Sequence, residues 1–287
     1  MKTKSRNIKR LFLIAAYSKK NIVDSALVYM VKSLSQCGDI VLVMDNIAQQ
    51  SEIEKISPYV LYASATRHGE YDFGSYKRAY IYARDTGILS NYDFVYLIND
   101  SVYGPLYEIE PYLKQMESFG TSAFGLVWHP HKTEPHIQSW FIGTRPDVFL
   151  SDWFDKFITS VTHQPDKGTI TYMYEQGFTR LLNKHGIQYK CIFSAPGRSI
   201  YNKVKKFYCD GLPFIKKVAF IRHHGCIGKQ ILYVLNHISP DVRDSILNAA
   251  RDTYGEKYIN WLLTKNPIKI IFRNIKYFIH KICTEKL

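Results

Sequence analysis

No apolar run in this 287-residue chain reaches the ~20 residues that a membrane-spanning helix needs. Glycine loops that cradle phosphate are missing too. No G-x-G-x-x-G follows the first strand-like segment, and G-x-x-x-x-G-K-[ST] occurs nowhere, which argues against a dinucleotide-dependent or P-loop enzyme. The five cysteines, Cys37, Cys191, Cys209, Cys226 and Cys283, are scattered and odd in number, and none forms a C-x-x-C pair. A structural zinc site and a disulfide framework are thereby disfavoured, and a reducing compartment is expected. The chain has no internal repeat, no low-complexity linker, and no helix-turn-helix, zinc-finger or RNA-recognition signature, so nucleic acid ranks last among partners. Acidic residues are in deficit: 25 Asp and Glu face 38 Lys and Arg, a formal charge of +13. Such a balance implies an anionic partner, either a phosphorylated small molecule or a phospholipid surface.

What is present fits a folded α/β chain. Hydrophobic residues make up 46% of the sequence, and the 22 tyrosines serve either a packed core or stacking on flat or sugar-like ligands. The N-terminus is basic, but its apolar run, residues 11–16, is short and leads into Tyr-Ser-Lys-Lys rather than a cleavage site, so a cytoplasmic location is expected. Residues 10–17 read as a buried strand, 22–34 as an amphipathic helix, and 39–46 as a second strand. A short helix near 51–56, a strand at 59–63, a helix over 75–84 and a strand at 94–98 continue the alternation. It predicts a mostly parallel sheet covered by helices.

In such a sheet, ligands gather at the carboxyl ends of the strands. Tyr17 ends the first strand, Asp45 and Asn46 the second, and Asn99, Asp100 and Ser101 the fourth. Two readings of the last cluster stand. Asp and Ser cap helices, and Pro105 suits the first turn of a helix running through Glu108 and Tyr112. Alternatively, Asp100 is a ligand-facing carboxylate that holds Mg²⁺ or Mn²⁺ together with phosphate oxygens. Around Gly74, Asp72 or Ser75 is a helix cap, while Gly74 also lets a backbone approach a ligand and the helix N-terminus with Lys77 meets phosphate. Alternation across residues 136–138 puts His136 and Gln138 on one face, suited to sugar hydroxyls.

Five blocks carry a resemblance: GEYDFGSYK at 69–77, YDFVYLINDSVYGPL at 92–106, HIQSWF at 136–141, YEQGFTRLL at 174–182 and GLPFIKK at 211–217. In this order, over residues ~10 to ~220, they resemble the rhamnan synthesis protein F family. That resemblance implies a GT-A-like, Rossmann-type fold. It also implies sugar transfer from a nucleotide sugar, dTDP-L-rhamnose above all, onto a growing bacterial surface polysaccharide such as an O-antigen. A non-catalytic sugar-nucleotide or glycan-binding subunit is the competing expectation, because the family's fold usually carries Asp-x-Asp where this chain has Asn99, Asp100 and Ser101. The resemblance makes Asp100 the residue nearest the donor diphosphate and its cation, with Ser101 and Tyr103 beside it. Glu175, in a helix expected over 171–184, becomes the general base of an inverting displacement, with Asp152 and Asp155 as weaker competitors. His223, after strand-like residues 218–221, is a remote candidate metal ligand. Residues 1–220 are expected to form the transfer domain and 221–287 a helical region.

The last of these helices, residues 266–283, repeats Ile268, Ile271, Phe272, Ile275, Phe278, Ile279 and Ile282 at i, i+3, i+4 and i+7, with Lys269, Arg273, Lys276 and Lys281 on other faces. It either packs on the transfer domain or lies on the anionic inner face of the cytoplasmic membrane, where a lipid-linked acceptor would be found.

Overall fold

The computed structural model describes residues 8–222 and 226–284, with side chains of the last helix described to residue 275. The chain divides into two compact units, one made of residues 1–23, 30–100 and 109–197, the other of 24–29, 101–108 and 198–287.

The first unit holds an eight-stranded sheet of β1 (Arg10–Ala16), β2 (Asp39–Met44), β3 (Tyr62–Ala65), β4 (Phe94–Asn99), β6 (Ala123–His129), β7 (His136–Ile137), β8 (Phe141–Thr144) and β9 (Tyr189–Ser194); the second holds β5 (Val102–Tyr103) and β10 (Ile215–Lys216). Every residue of β1 and β4 is buried, as the near-continuous apolar runs RLFLIAA and FVYLIN suit strands covered on both faces. Strands run in the order β3-β2-β1-β4-β8-β6, and β6 also pairs β7 and β9. The first four are parallel, the 3-2-1-4 order of a Rossmann-type half. This is the α/β, Rossmann-type arrangement the resemblance implied. Strand β8 is antiparallel to both β4 and β6, so β6 again runs with β4, and β9 runs with β6. The carboxyl ends of β1, β2, β3, β4, β6 and β9 therefore share one edge.

The helix Tyr71–Asp85 covers one face, burying Phe73, Tyr76, Ala79, Tyr80 and Ala83 over Leu11, Leu13, Val41, Val95 and Leu97. Toward the opposite edge, the buried Arg10 guanidinium forms a bidentate pair with Glu117, at 2.5 and 2.8 Å, and the Tyr96 hydroxyl donates to the same carboxylate at 2.7 Å. With its acceptor sites filled, the buried carboxylate escapes the penalty of an unpaired charge.

In the second unit the antiparallel pair β5–β10 packs with helices Ile227–Leu235, Pro240–Tyr254 and Glu256–Leu262 around Tyr103, Phe220, Ile231 and Ile246. Two expectations change here. Residues 218–221, which look strand-like, form the 3₁₀ turn Lys217–Ile221, because the Tyr254 and Tyr258 hydroxyls donate to the Lys217 and Phe220 carbonyls that a ladder would otherwise use. The helix expected from Pro105 begins only at Glu110: Leu106 donates its N–H to Pro213 O at 2.8 Å, and Gly104 at φ 132° lies outside any helix.

Candidate active site

Two groups of side chains converge on the carboxyl edge of the first unit. The first surrounds Asp45, whose buried Oδ1 accepts the backbone N–H groups of His68 and Gly69 at 2.7 and 2.8 Å. Arg67 Nε stands 3.9 Å from the same oxygen, and its guanidinium lies over the ring of Tyr17, 5.5 Å from the centroid. Tyr17 is 46% exposed, a flat ring with a cation on one side. Asn46 accepts the Ser18 N–H at 3.0 Å, and its buried Nδ2 has no bonding partner among the described residues.

His68 ties this group to the helix Tyr71–Asp85. Its Nδ1 accepts the Glu70 N–H at 3.1 Å, so the neutral ring donates from Nε2 to Ser75 Oγ at 3.0 Å. Burial lowers the pKa of the ring, and the nearby Arg78 adds to the shift. Gly74 has a reason different from ligand approach: a Cβ there would come 2.3 Å from Glu70 Cβ and 2.8 Å from the His68 ring. The space belongs to His68. Ser75 caps nothing, since the helix begins at Tyr71 and Ser75 is buried within it. Lys77 is held by Val161 O at 2.7 Å, with Glu70 at 3.8 Å.

The second group surrounds Tyr76. Its buried hydroxyl donates to Ser139 O at 3.0 Å, and Asn99 Nδ2, in contact with that hydroxyl, donates to Asp72 Oδ2 at 2.9 Å. The phenol is pushed well above its ordinary pKa, first by burial and then by the carboxylates of Asp72, Glu175 and Asp100. Asp72 reaches this hydroxyl through Asn99, and Glu175 through Ser139. Backbone bonds fix the strand end: Asn99 N donates to Trp140 O at 3.2 Å and Asp100 N to Ala15 O at 3.0 Å. Glu175 Oε1 accepts the Ser139 N–H at 2.9 Å. It sits in a π-helical turn, Thr171–Gln176, running into the helix Gly177–Lys184, and such turns recur at functional sites.

His129, at the end of β6, pairs across to His136 on β7, with ring centroids 5.0 Å apart. Each holds Nδ1 against a backbone carbonyl, Ala195 O at 3.0 Å and Glu134 O at 2.7 Å, which leaves Nε2 as the acceptor of the neutral ring. Burial lowers the His129 pKa most. The bond to Ala195 opposes that, His136 and His131 reinforce it, and the charge of Glu175 opposes it. Gln138 is buried, its Oε1 taken by the Trp140 indole at 2.7 Å.

Ser101 and Tyr103 belong to the second unit. Ser101 Oγ accepts from the buried Lys216 ammonium at 2.7 Å. Tyr103 is fully buried against Phe220 at 5.0 Å, a core ring rather than a ligand-facing one. His223 lies outside the described residues. Among the described residues no group of three His, Cys, Asp or Glu side chains is placed to hold a metal. A cation at this edge would be held as Mg²⁺ often is, by Asp100 together with oxygens of the ligand. Asp155, a weaker candidate base, is bonded to Arg84 at 2.7 Å.

The profile of the rhamnan synthesis protein F family matches residues 40–285, most of the chain. The chain belongs to that family. Membership ties this rhamnan synthesis protein F relative to polysaccharide synthesis. No curated protein sequence matches it significantly. Among solved structures it is similar to the mannosyltransferase Ktr4p of S. cerevisiae, at 8% identity and TM-score 0.37, covering 58% of this chain and 63% of that one. It is also similar to a glycosyltransferase involved in glycosylation of the major capsid of PBCV-1, at 11% identity and TM-score 0.38, covering 79% and 98%. A third is S. aureus TarS 1-349, at 11% identity and TM-score 0.33, covering 94% and 72%. At such identities and scores the likeness assigns no chemistry to this rhamnan synthesis protein F relative. Tyr76, His129 and Arg67 escape a sequence reading, because each acts through partners distant along the chain.

Proposed function

We propose that the chain is a glycosyltransferase that moves a sugar, L-rhamnose from dTDP-L-rhamnose in the reading the family favours, onto a growing cell-surface polysaccharide with inversion. The observation that carries this is the hydrogen-bonded chain Asp72–Asn99–Tyr76–Ser139–Glu175, set beside the Asp100 strand end at the carboxyl edge of a 3-2-1-4 sheet. Tyr17, Arg67 and Asn46 offer the nucleoside end of the donor a ring face, a cation and a buried donor group. Asp100 stands where the diphosphate meets the sugar; a divalent cation bound there would neutralise the departing charge.

Glu175 is the base. Its Oε1 is fixed by Ser139 N, which orients the carboxylate toward one acceptor hydroxyl. The proton of that hydroxyl passes to Glu175, the hydroxyl oxygen forms a bond to the anomeric carbon, and the bond from that carbon to the diphosphate oxygen breaks. The electron pair leaves with the diphosphate. The Nε2 atoms of His129 and His136 accept hydrogen bonds from neighbouring acceptor hydroxyls, keeping the attacking one in line.

Incubating the protein with a panel of nucleotide sugars and a rhamnan acceptor, with and without Mn²⁺, and reading the product anomer by NMR tests the proposal. Transfer from dTDP-L-rhamnose with inverted configuration is expected. A folded protein that binds nucleotide sugar yet turns over none of the panel would instead mark a binding subunit of an assembly complex.

A further inference from the structure

Among the described residues, the terminal helix Pro267–Thr284 is fastened to its own unit along one line. Ile270 and Arg273 are buried, and Arg273 Nη1 donates to Leu262 O and, at 3.3 Å, to Trp261 O, carbonyls at the end of the helix Glu256–Leu262. Gly228 makes room for this, since a Cβ at that position would meet Leu262 O and the Arg273 guanidinium. At 3.6 residues per turn, residues 268, 271, 272 and 275 fall on the opposite side of the helix. There Ile268, Ile271, Phe272 and Ile275 are exposed by 62, 58, 68 and 49%. An apolar stripe of this kind is ordinarily what a helix buries. In this molecule the charged Arg273 is inside and the apolar stripe is outside.

What covers the stripe is indicated by charge. Residues 265–287 contain six Lys and Arg and a single acidic residue, Glu285. A second copy laid stripe to stripe would bring those cations together, whereas an anionic surface complements them. The helix does not have the length and apolarity to cross a bilayer. A basic, amphipathic helix with an outward aromatic ring lies in the interface instead. The apolar spacing runs on in the sequence through Phe278, Ile279 and Ile282, which lengthens the strip.

We infer that the terminal helix docks the protein on an anionic phospholipid bilayer, with Ile268, Ile271, Phe272 and Ile275 entering the headgroup boundary and Lys269 beside them meeting lipid phosphate. The test is co-sedimentation of the full chain with vesicles of phosphatidylcholine alone or mixed with phosphatidylglycerol, at low and moderate salt. Binding is expected to the mixed vesicles only, weakening with salt. The double variant Ile271→Asp with Phe272→Asp is expected to bind about a hundredfold more weakly, with an unchanged thermal midpoint, since both side chains are solvent-exposed. Equal binding by wild type and variant, or none by wild type, overturns the inference. So does a variant that melts early, which would mean the stripe packs within the chain. A wild-type dimer in lipid-free sedimentation that the double variant disperses assigns the stripe to a second copy and overturns it too.

Discussion

Glu175 and Tyr76 meet through one residue, Ser139, whose N–H is received by the carboxylate and whose carbonyl receives the phenol. Substituting Glu175→Gln keeps the shape and the bond to Ser139 but removes the proton acceptor. Donor binding is expected to survive, while turnover falls by roughly 10² or more, as loss of a general base predicts. Pre-steady-state binding and kcat measured on the same variant separate the two, and a kcat within a few-fold of wild type would move the base elsewhere. Tyr76→Phe tests the support beneath. It leaves the Ser139 carbonyl and the Asn99 amide short of a buried partner, which costs about 1–3 kcal/mol of stability in urea unfolding. Because Glu175 is positioned by the same residue, kcat should fall while the affinity for donor is retained.

At the scale of elements, the helix Tyr71–Asp85 begins with Tyr71 at φ 57° and carries Gly74 one turn in. Helix propensity alone predicts that Gly74→Ala stabilises by about 1 kcal/mol. The position has no room for that methyl, so overpacking against Glu70 and His68 should reverse the sign and cost roughly 1–3 kcal/mol. A lowered thermal midpoint checks it; a raised one would show that His68 yields without loss. This helix also marks how far the sequence could be read. Strands β1, β2 and β4 were legible because their apolar runs alternate with helix-patterned segments, and the helix itself was legible but begun at 75, four residues late. The missing turn depends on Asp45 Oδ1 holding His68 and Gly69, a contact over more than twenty residues that no local pattern encodes. Residues 218–221 were misread for a related reason: a short apolar run suits strand or helix equally, and tyrosine hydroxyls from a later helix decide it. Asp100 and Glu175 could be picked out from strand-end logic and family blocks. Tyr76 and His129 could not, since a tyrosine in a helix and a histidine before Pro130 look like core and loop.

For the molecule as a whole, the +13 charge and the neutral histidines act together on stability. His68 and His129 both have pKa values lowered in the folded state, burial being the largest cause in each. The unfolded chain titrates them near the ordinary 6.5 and takes up protons there that the folded chain refuses. Their contribution to stability is therefore complete above about 6.5 and is lost as the pH falls from there toward their folded values. Acidification also protonates exposed members of the ten histidines and raises a positive charge that already repels itself. Salt separates the two effects, because it screens exposed charges but reaches buried groups poorly. Urea unfolding between about pH 7 and pH 5 should show stability falling toward acid at both low and moderate salt, with salt recovering only part of the loss. In His129→Asn, where one of the refused protons no longer exists, the acid slope at moderate salt should be shallower than in wild type. Stability that is flat over this range, or a loss that salt recovers entirely, would mean that the rings of His68 and His129 accept their protons freely and that the His129 Nε2 offered to the acceptor is not held neutral.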